Sequence, residues 1–421
     1  MQSQKKKRIT LICVAIIVIL IGQFAEVRGS NVLLLSAIVI ATIYGMFCDI
    51  SQLAGLVLLL VAPNRLLTYG PISAPAIIML LGVIRLSLHG KLRLRTSTTL
   101  WSALLILLSV ITILNGNSQI ISTIKVFVVL YFIKLYFYSD CIEDKYVDLV
   151  ENCSIGCIIT SLLTFVINPR ALSESVRFSL TGSGGENVLG ILCAIMFLNL
   201  LNIMLFREDH HKSFHILTAV GLVFICLLTG SRTAALCLVV GMAGIFVVSC
   251  LRLNFKQAAI MLLSVGTVVL LSYYLTQGNN LIANYVQRFV YRAQKLAGTD
   301  ISNGRFEIWR MYTETFKIHP AILWFGGMNY ASYGINIVAH NMILEQIAEY
   351  GIIGSFVIFL LYCHTYRDIA FESGSKAHWL SAGIIPIVAL LVVSMFSHTL
   401  LGIPQTMMLF ISAYGILEAN Q

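Results

Sequence analysis

The chain has 421 residues, of which 58% are hydrophobic and only 11% charged, and its mean hydropathy is +0.87. That leaves too little polar surface to cover a water-soluble particle, so the composition places residues 1–421 in a bilayer as a single membrane domain. The formal charge of +9 does not signal a nucleic-acid partner, because the basic residues are spread through loops instead of gathering on one face or tail.

In chain order, Lys5-Lys6-Lys7-Arg8 precedes an apolar run, Ile9 to Gln23. No small-residue cleavage site closes this run, so it reads as a retained first helix. Further runs of membrane-crossing length follow at Val32 to Phe47, Leu53 to Leu67, Ile72 to Leu88, Leu100 to Leu114, Ile121 to Tyr138, Cys153 to Ile167 and Val188 to Phe206. Phe214 to Leu228, Thr233 to Leu251 and Ala258 to Leu275 come next, and after a long polar interval Met342 to Tyr362, Trp379 to Phe396 and Gly402 to Leu417. The expected fold class is an all-α polytopic membrane protein of about 12–14 transmembrane helices with one long outer loop, residues 276–339. The third run is the weakest, because Pro63 and Arg65 interrupt it. Charge parity retains it. Lys5 to Arg8 and Lys91 to Arg95 should both face the cytoplasm, which requires four crossings between them. With both termini inside, the short inner segments hold fourteen Lys and Arg against five in the short outer ones, the bias expected of that orientation.

The ten cysteines are scattered through apolar runs, with no C-x-x-C pair or Cys/His spacing, so free thiols and no structural metal are expected. No Asp-x-Asp pair and no nucleotide-binding glycine loop is present either.

Three constellations fall on the outer side. In Thr229-Gly230-Ser231-Arg232-Thr233 an arginine sits in a turn between two spans. Its planar fork matches phosphate oxygens, although an arginine at a helix end also snorkels to the interface. In Gly304-Arg305-Phe306-Glu307-Ile308-Trp309-Arg310 two arginines flank an aromatic and an acid. They complete a diphosphate clamp, or Glu307 pairs with Arg310 on a solvated helix. Arg288 and Arg292, four apart, share a helical face in the same loop, and with Arg177 and Arg310 are candidate phosphate neighbours. Third, His340-Asn341 precedes Glu345 and Glu349 by one and two turns. A histidine here is suited to take a proton from a sugar hydroxyl, with Glu345 or Glu349 orienting it or binding the sugar; a helix cap is the plainer role.

The ordered set Thr-Gly-Ser-Arg-Thr, Gly-Arg-x-x-x-Trp, Pro320, Gly326-Gly327, His340-Asn341 and Glu349-Tyr-Gly-Ile-Ile-Gly354 resembles the O-antigen polymerase and O-antigen ligase superfamily. Gly184-Gly185-Glu186-Asn187-Val188-Leu189-Gly190 is similar to that family's Gly/Asn segment. The resemblance implies a membrane-embedded glycosyltransferase fold of the C type, in the bacterial cytoplasmic membrane with its site on the outer face. It implies that Arg232 and Arg305 hold the diphosphate of a polyprenyl-diphosphate-linked glycan and that His340 takes the catalytic-base position. It also implies a metal-independent, inverting reaction without cofactor. The expected partners are the lipid-linked donor and acceptor, the bilayer and a chain-length regulator. A lone His340-Asn341, without the second nearby histidine of some ligases, points to polymerisation of repeat units. A ligase acting on a lipid A core, a protein O-oligosaccharyltransferase and a glycolipid flippase are the alternatives; no internal repeat of the transporter kind is evident.

Overall fold

Helix boundaries follow from local chemistry at the first turns. In the computed structural model, which describes residues 2–88, 96–138, 145–168, 178–180, 186–206, 211–251, 259, 304–335, 338–372, 383–396 and 402–418, α1 (Gln2–Arg28) ends at Gly29, whose φ of 60° reverses the chain. Ser30 then caps α2 (Asn31–Phe47) by accepting the Leu33 N–H at 3.4 Å. Asp49 opens α3 (Ile50–Val61) with a capping box, accepting the Gln52 N–H at 2.8 Å while the Gln52 side chain accepts the Asp49 N–H at 3.4 Å. Pro63, which has no N–H to donate, interrupts the helical path. A two-stranded hairpin, β1 (Thr68–Tyr69) with β2 (Ile72–Ser73), returns the chain into α4 (Ala74–Leu88).

The third predicted span is therefore a helix of 12 residues, about 18 Å long and shorter than the hydrocarbon layer. Leu53 through Val61 are all buried, so neighbouring helices and not lipid surround it, and no mismatch with the bilayer arises. Lys7 Nζ donates to Asp49 Oδ2 at 2.8 Å, and Arg85 donates to the carbonyls of Gly45 at 3.0 Å and Cys48 at 2.6 Å. These bonds gather the start of α1, the α2–α3 junction and the last turn of α4 at one end of the bundle. Four crossings separate Lys7 from the end of α4, as charge parity requires; the segment 91–95 itself lies outside the described residues.

The chain continues through α5 (Thr96–Ile111), α6 (Ile120–Tyr138), α7 (Lys145–Ile167), α8 (Glu186–Phe206), α9 (Lys212–Thr229) and α10 (Arg232–Leu251). After the undescribed stretch come two short helices, α11 (Arg305–Ile318) and α12 (Pro320–Phe325), and then α13 (Met342–Glu372), α14 (Ile384–Ser394) and α15 (Ile403–Glu418). Thirteen of the fourteen predicted spans coincide with described helices. The remaining one, Ala258 to Leu275, lies outside the described residues apart from position 259. Among the described residues seven helices are long and apolar enough to cross a membrane by themselves, and large side chains such as Phe47, Leu114 and Leu217 stand exposed on the flanks. The protein is an all-α polytopic membrane protein.

α8 runs through the centre. Its polar residues are satisfied internally, as a dry interior demands: Asn199 accepts from the Tyr146 hydroxyl at 2.7 Å and donates to Ser412 at 3.0 Å. Small residues set the helix spacing. A Cβ on Gly156 of α7 would overlap the Leu59 carbonyl of α3, and one on Gly241 of α10 would overlap Leu198 of α8.

α6 and α13 are joined by a buried ion pair, Lys134 Nζ to Asp368 Oδ2 at 2.8 Å, with side chains 4% and 0% exposed. Removing one partner strands the other charge, so Asp368→Ala is expected to destabilise the bundle by about 3–5 kcal/mol, whereas Lys134→Met with Asp368→Leu recovers most of that loss. Thermal unfolding in detergent checks both, and an unchanged midpoint in the single variant would sink the argument.

Candidate functional site

At the end of the bundle opposite Lys7, residues 304–341 build a cap with its own apolar core. Tyr312 and Phe316 on the inner face of α11 pack against Ile322, Met328, Ile335, Ala339 and Ala348, a cluster separate from that of the bundle. The cap is fastened where α13 breaks. Gly351 takes φ 68° and ψ 177°, a conformation almost confined to glycine, and the break leaves carbonyls of the preceding turn without helical donors. The Gly326-Gly327 loop supplies them: Gly327 N–H donates to the Glu349 carbonyl and Met328 N–H to the Ala348 carbonyl, each at 3.0 Å. From the α5–α6 turn, Asn115 Nδ2 donates to the Gly326 carbonyl at 2.6 Å and Asn117 Nδ2 to the Met328 carbonyl at 3.3 Å. The two asparagines bracket Gly116 in a tight turn, a signal legible in the sequence but not singled out there.

The re-entry turn is the second feature. His340 is the one non-glycine residue with positive φ among the described residues, at 50°, which costs a residue bearing a Cβ about 1–2 kcal/mol. The helix cap is Asn341 and not His340: Asn341 Oδ1 accepts the N–H groups of Ile343 at 3.0 Å and Leu344 at 3.2 Å. The imidazole beside this cap is half-buried. Glu345, buried, accepts the His340 backbone N–H at 2.8 Å, and Trp309 Nε1 donates to the Ala339 carbonyl at 2.8 Å.

Two tyrosines that sequence reasoning passed over complete this layer. The Tyr312 ring lies against Tyr330, centroids 5.9 Å apart. Burial, and after it the charge of Glu345, pushes the Tyr312 hydroxyl above the ordinary phenol range; burial and then Glu349 do the same to Tyr330. Both phenols therefore stay protonated at neutral pH. A stripe of aromatic residues at helical spacing gave no sign that Tyr312 meets Tyr330, beyond the Gly326-Gly327 turn.

Arg305 opens α11 after Gly304 at φ 78° and donates through one guanidinium nitrogen to the Phe396 carbonyl at 3.0 Å. Trp309 lies 6.4 Å from Phe396, ring to ring, so α11 rests against the end of α14. Glu307 and Arg310 are both exposed, as on a solvated helix face, and among the described residues no ion pair joins them.

Arg232 sits in a separate turn. Gly230 reverses the chain at φ 57°, and Ser231 caps α10 by accepting the Ala234 N–H at 3.2 Å. Gly190 of α8 permits close approach to this turn, since its Cβ would lie 2.7 Å from Thr229 Oγ1. The Phe178 N–H donates to the Leu228 carbonyl at 3.1 Å from the other side. Arg232 is exposed at the start of α10. Gly244, toward the far end of α10, packs on Ile385 at the start of α14, so the two helices run antiparallel. Phe396, and with it Arg305, consequently stands at the same end of the bundle as Arg232.

The structure thus joins Arg305, Arg310, His340, Asn341, Glu345 and Glu349 in one cap and sets Arg232 at the same end on the bundle. Arg177, Arg288 and Arg292 lie outside the described residues. Among the described residues no group of three or more His, Cys, Asp or Glu side chains is placed to hold a metal ion. The arrangement offers fixed guanidinium groups and an imidazole at one face of a membrane bundle, the components for stabilising an anionic leaving group and accepting a hydroxyl proton.

No curated protein matches the chain. The family model described as O-Antigen ligase matches residues 217–360, a stretch that runs from α9 through the Arg232 turn and the cap to just past the break in α13. The match covers about a third of the chain and supports its similarity to the O-antigen ligase and polymerase superfamily.

Proposed function

We propose that the protein is a glycosyltransferase that polymerises polyprenyl-diphosphate-linked oligosaccharide repeats on the outer face of a bacterial cytoplasmic membrane. In this reading the cap end faces outward, in line with the excess of Lys and Arg in the segments assigned to the inner side. Arg232 and Arg305 hold the donor diphosphate and stabilise the charge that develops as the glycosidic bond to phosphate breaks. His340 takes the proton of the acceptor hydroxyl, which attacks the anomeric carbon from the opposite side and inverts it; the polyprenyl diphosphate leaves. The diphosphate ester supplies the driving force, and no metal or nucleotide takes part. The observation that carries the reading is His340, kept in a left-handed turn inside the segment that matches the transferase family: a strained backbone is retained where a side chain is used.

A second reading, transfer of the finished glycan to a lipid A core, is favoured by the description of the matching family as a ligase. The surface-glycan profile of cells lacking the protein, set beside their lipid-linked pool, separates the two. Polymerisation predicts surface chains of single repeats. Accumulation of long, unattached lipid-linked chains instead makes the protein a ligase, and an unchanged profile removes both.

A further inference from the structure

The conformation of the His340 turn is fixed by side chains of two different elements. Trp309 of α11 holds the Ala339 carbonyl at 2.8 Å, and Glu345 of α13 holds the His340 N–H at 2.8 Å. None of these contacts is with the imidazole. The buried Glu345 carboxylate accepts this backbone amide one turn into a helix that Asn341 already caps, so helix initiation does not require it. A glycine would adopt the left-handed turn without such support; the support is needed because a histidine stands there. The helix that supplies Trp309 begins with Arg305, so that bond also ties the helix carrying the guanidinium to the turn carrying the imidazole.

We infer that Glu345, with Trp309, is a positioning residue for the transfer reaction, acting through the 339–340 backbone to aim the His340 imidazole without touching either sugar. This assignment rests on the role proposed above for His340. It differs from a role in sugar binding, in which the carboxylate would meet acceptor hydroxyls directly, and from a base-orienting role in which it would bond to the ring.

The test uses the full chain in lipid nanodiscs with a lipid-linked oligosaccharide repeat as probe. Glu345→Ala is expected to lower turnover by about 10–100-fold with the donor KM changed less than about 2-fold, the pattern of a misplaced catalytic group. Glu345→Gln, which keeps the acceptor oxygen, is expected to stay within about 3-fold of the parent, since the bond and not the charge does the aiming. In a His340→Ala background Glu345→Ala should cost nothing further, because residues acting through one another are not additive. A merely structural contribution would multiply with His340→Ala. The inference is overturned if Glu345→Ala turns over normally, if Gln is as impaired as Ala, or if the losses multiply. Should Glu345→Ala fail to fold, Trp309→Phe, which keeps an aromatic ring but loses the indole N–H bond to the Ala339 carbonyl, carries the same test, and additive behaviour there is equally fatal. A parent protein that transfers no glycan would refute the proposed function itself, an outcome distinct from an active parent with an indifferent Glu345.

Discussion

Arg305→Ala is expected to lower glycan transfer by about 10²–10³-fold, the usual cost of losing a preorganised donor at a site of developing charge, while the protein reaches the membrane at normal abundance. The side chain is only partly buried, lies at the first turn of α11 where it bonds the Phe396 carbonyl, and is not part of the cap core of Tyr312, Phe316 and Ile322, so its removal is expected to leave that core intact. Arg305→Lys should recover little, because an ammonium cannot present two parallel donors to a phosphate. Arg232→Ala is expected to act likewise, since Ser231 and not Arg232 caps α10. The measurement is chain length on the cell surface beside protein abundance in membranes. Near-normal polymer from both variants would remove the diphosphate clamp.

The second large effect is structural. Gly351→Ala places a methyl group against the Trp324 carbonyl and the Phe325 nitrogen and forces an L-residue into φ 68°, ψ 177°. Strain of about 1–3 kcal/mol adds to overpacking of a further 1–3 kcal/mol, and backbone on both sides of the clash blocks easy relief. The cap should detach from α13 while the bundle, whose core is separate, stays folded. Limited proteolysis resolves this: new cleavage within residues 304–341 is expected, and an unaltered digest would contradict the clasp.

Much of the fold was legible because bilayer helices announce themselves by length and hydropathy, and because charge parity needs only a count of Lys and Arg. The short α3 was the exception. Its 12 residues sit inside a longer apolar run, and Pro63 marked the interruption without saying where the helix stops. Within the site, the residue types at Arg232, Arg305 and His340 pointed to phosphate and proton chemistry, and the order of the motifs pointed to the family. Long-range partners were not legible. Trp309 meets Ala339 thirty positions away, Asn115 meets Gly326 across more than two hundred, and no local pattern encodes either pairing. The capping role weighed for His340 belongs to its neighbour because an amide side chain bonds the exposed N–H groups more readily than an imidazole.

The burial of α3 has a consequence for biogenesis. A 12-residue segment gains too little from partitioning into lipid to be retained on its own merit, and Gly156 of α7, which packs against its Leu59, is synthesised roughly a hundred residues later. During translation the segment lacks the surface that finally encloses it, so the first four helices reach their settled topology only after α7 has emerged, and assembly of the N-terminal half waits on sequence from the middle of the chain.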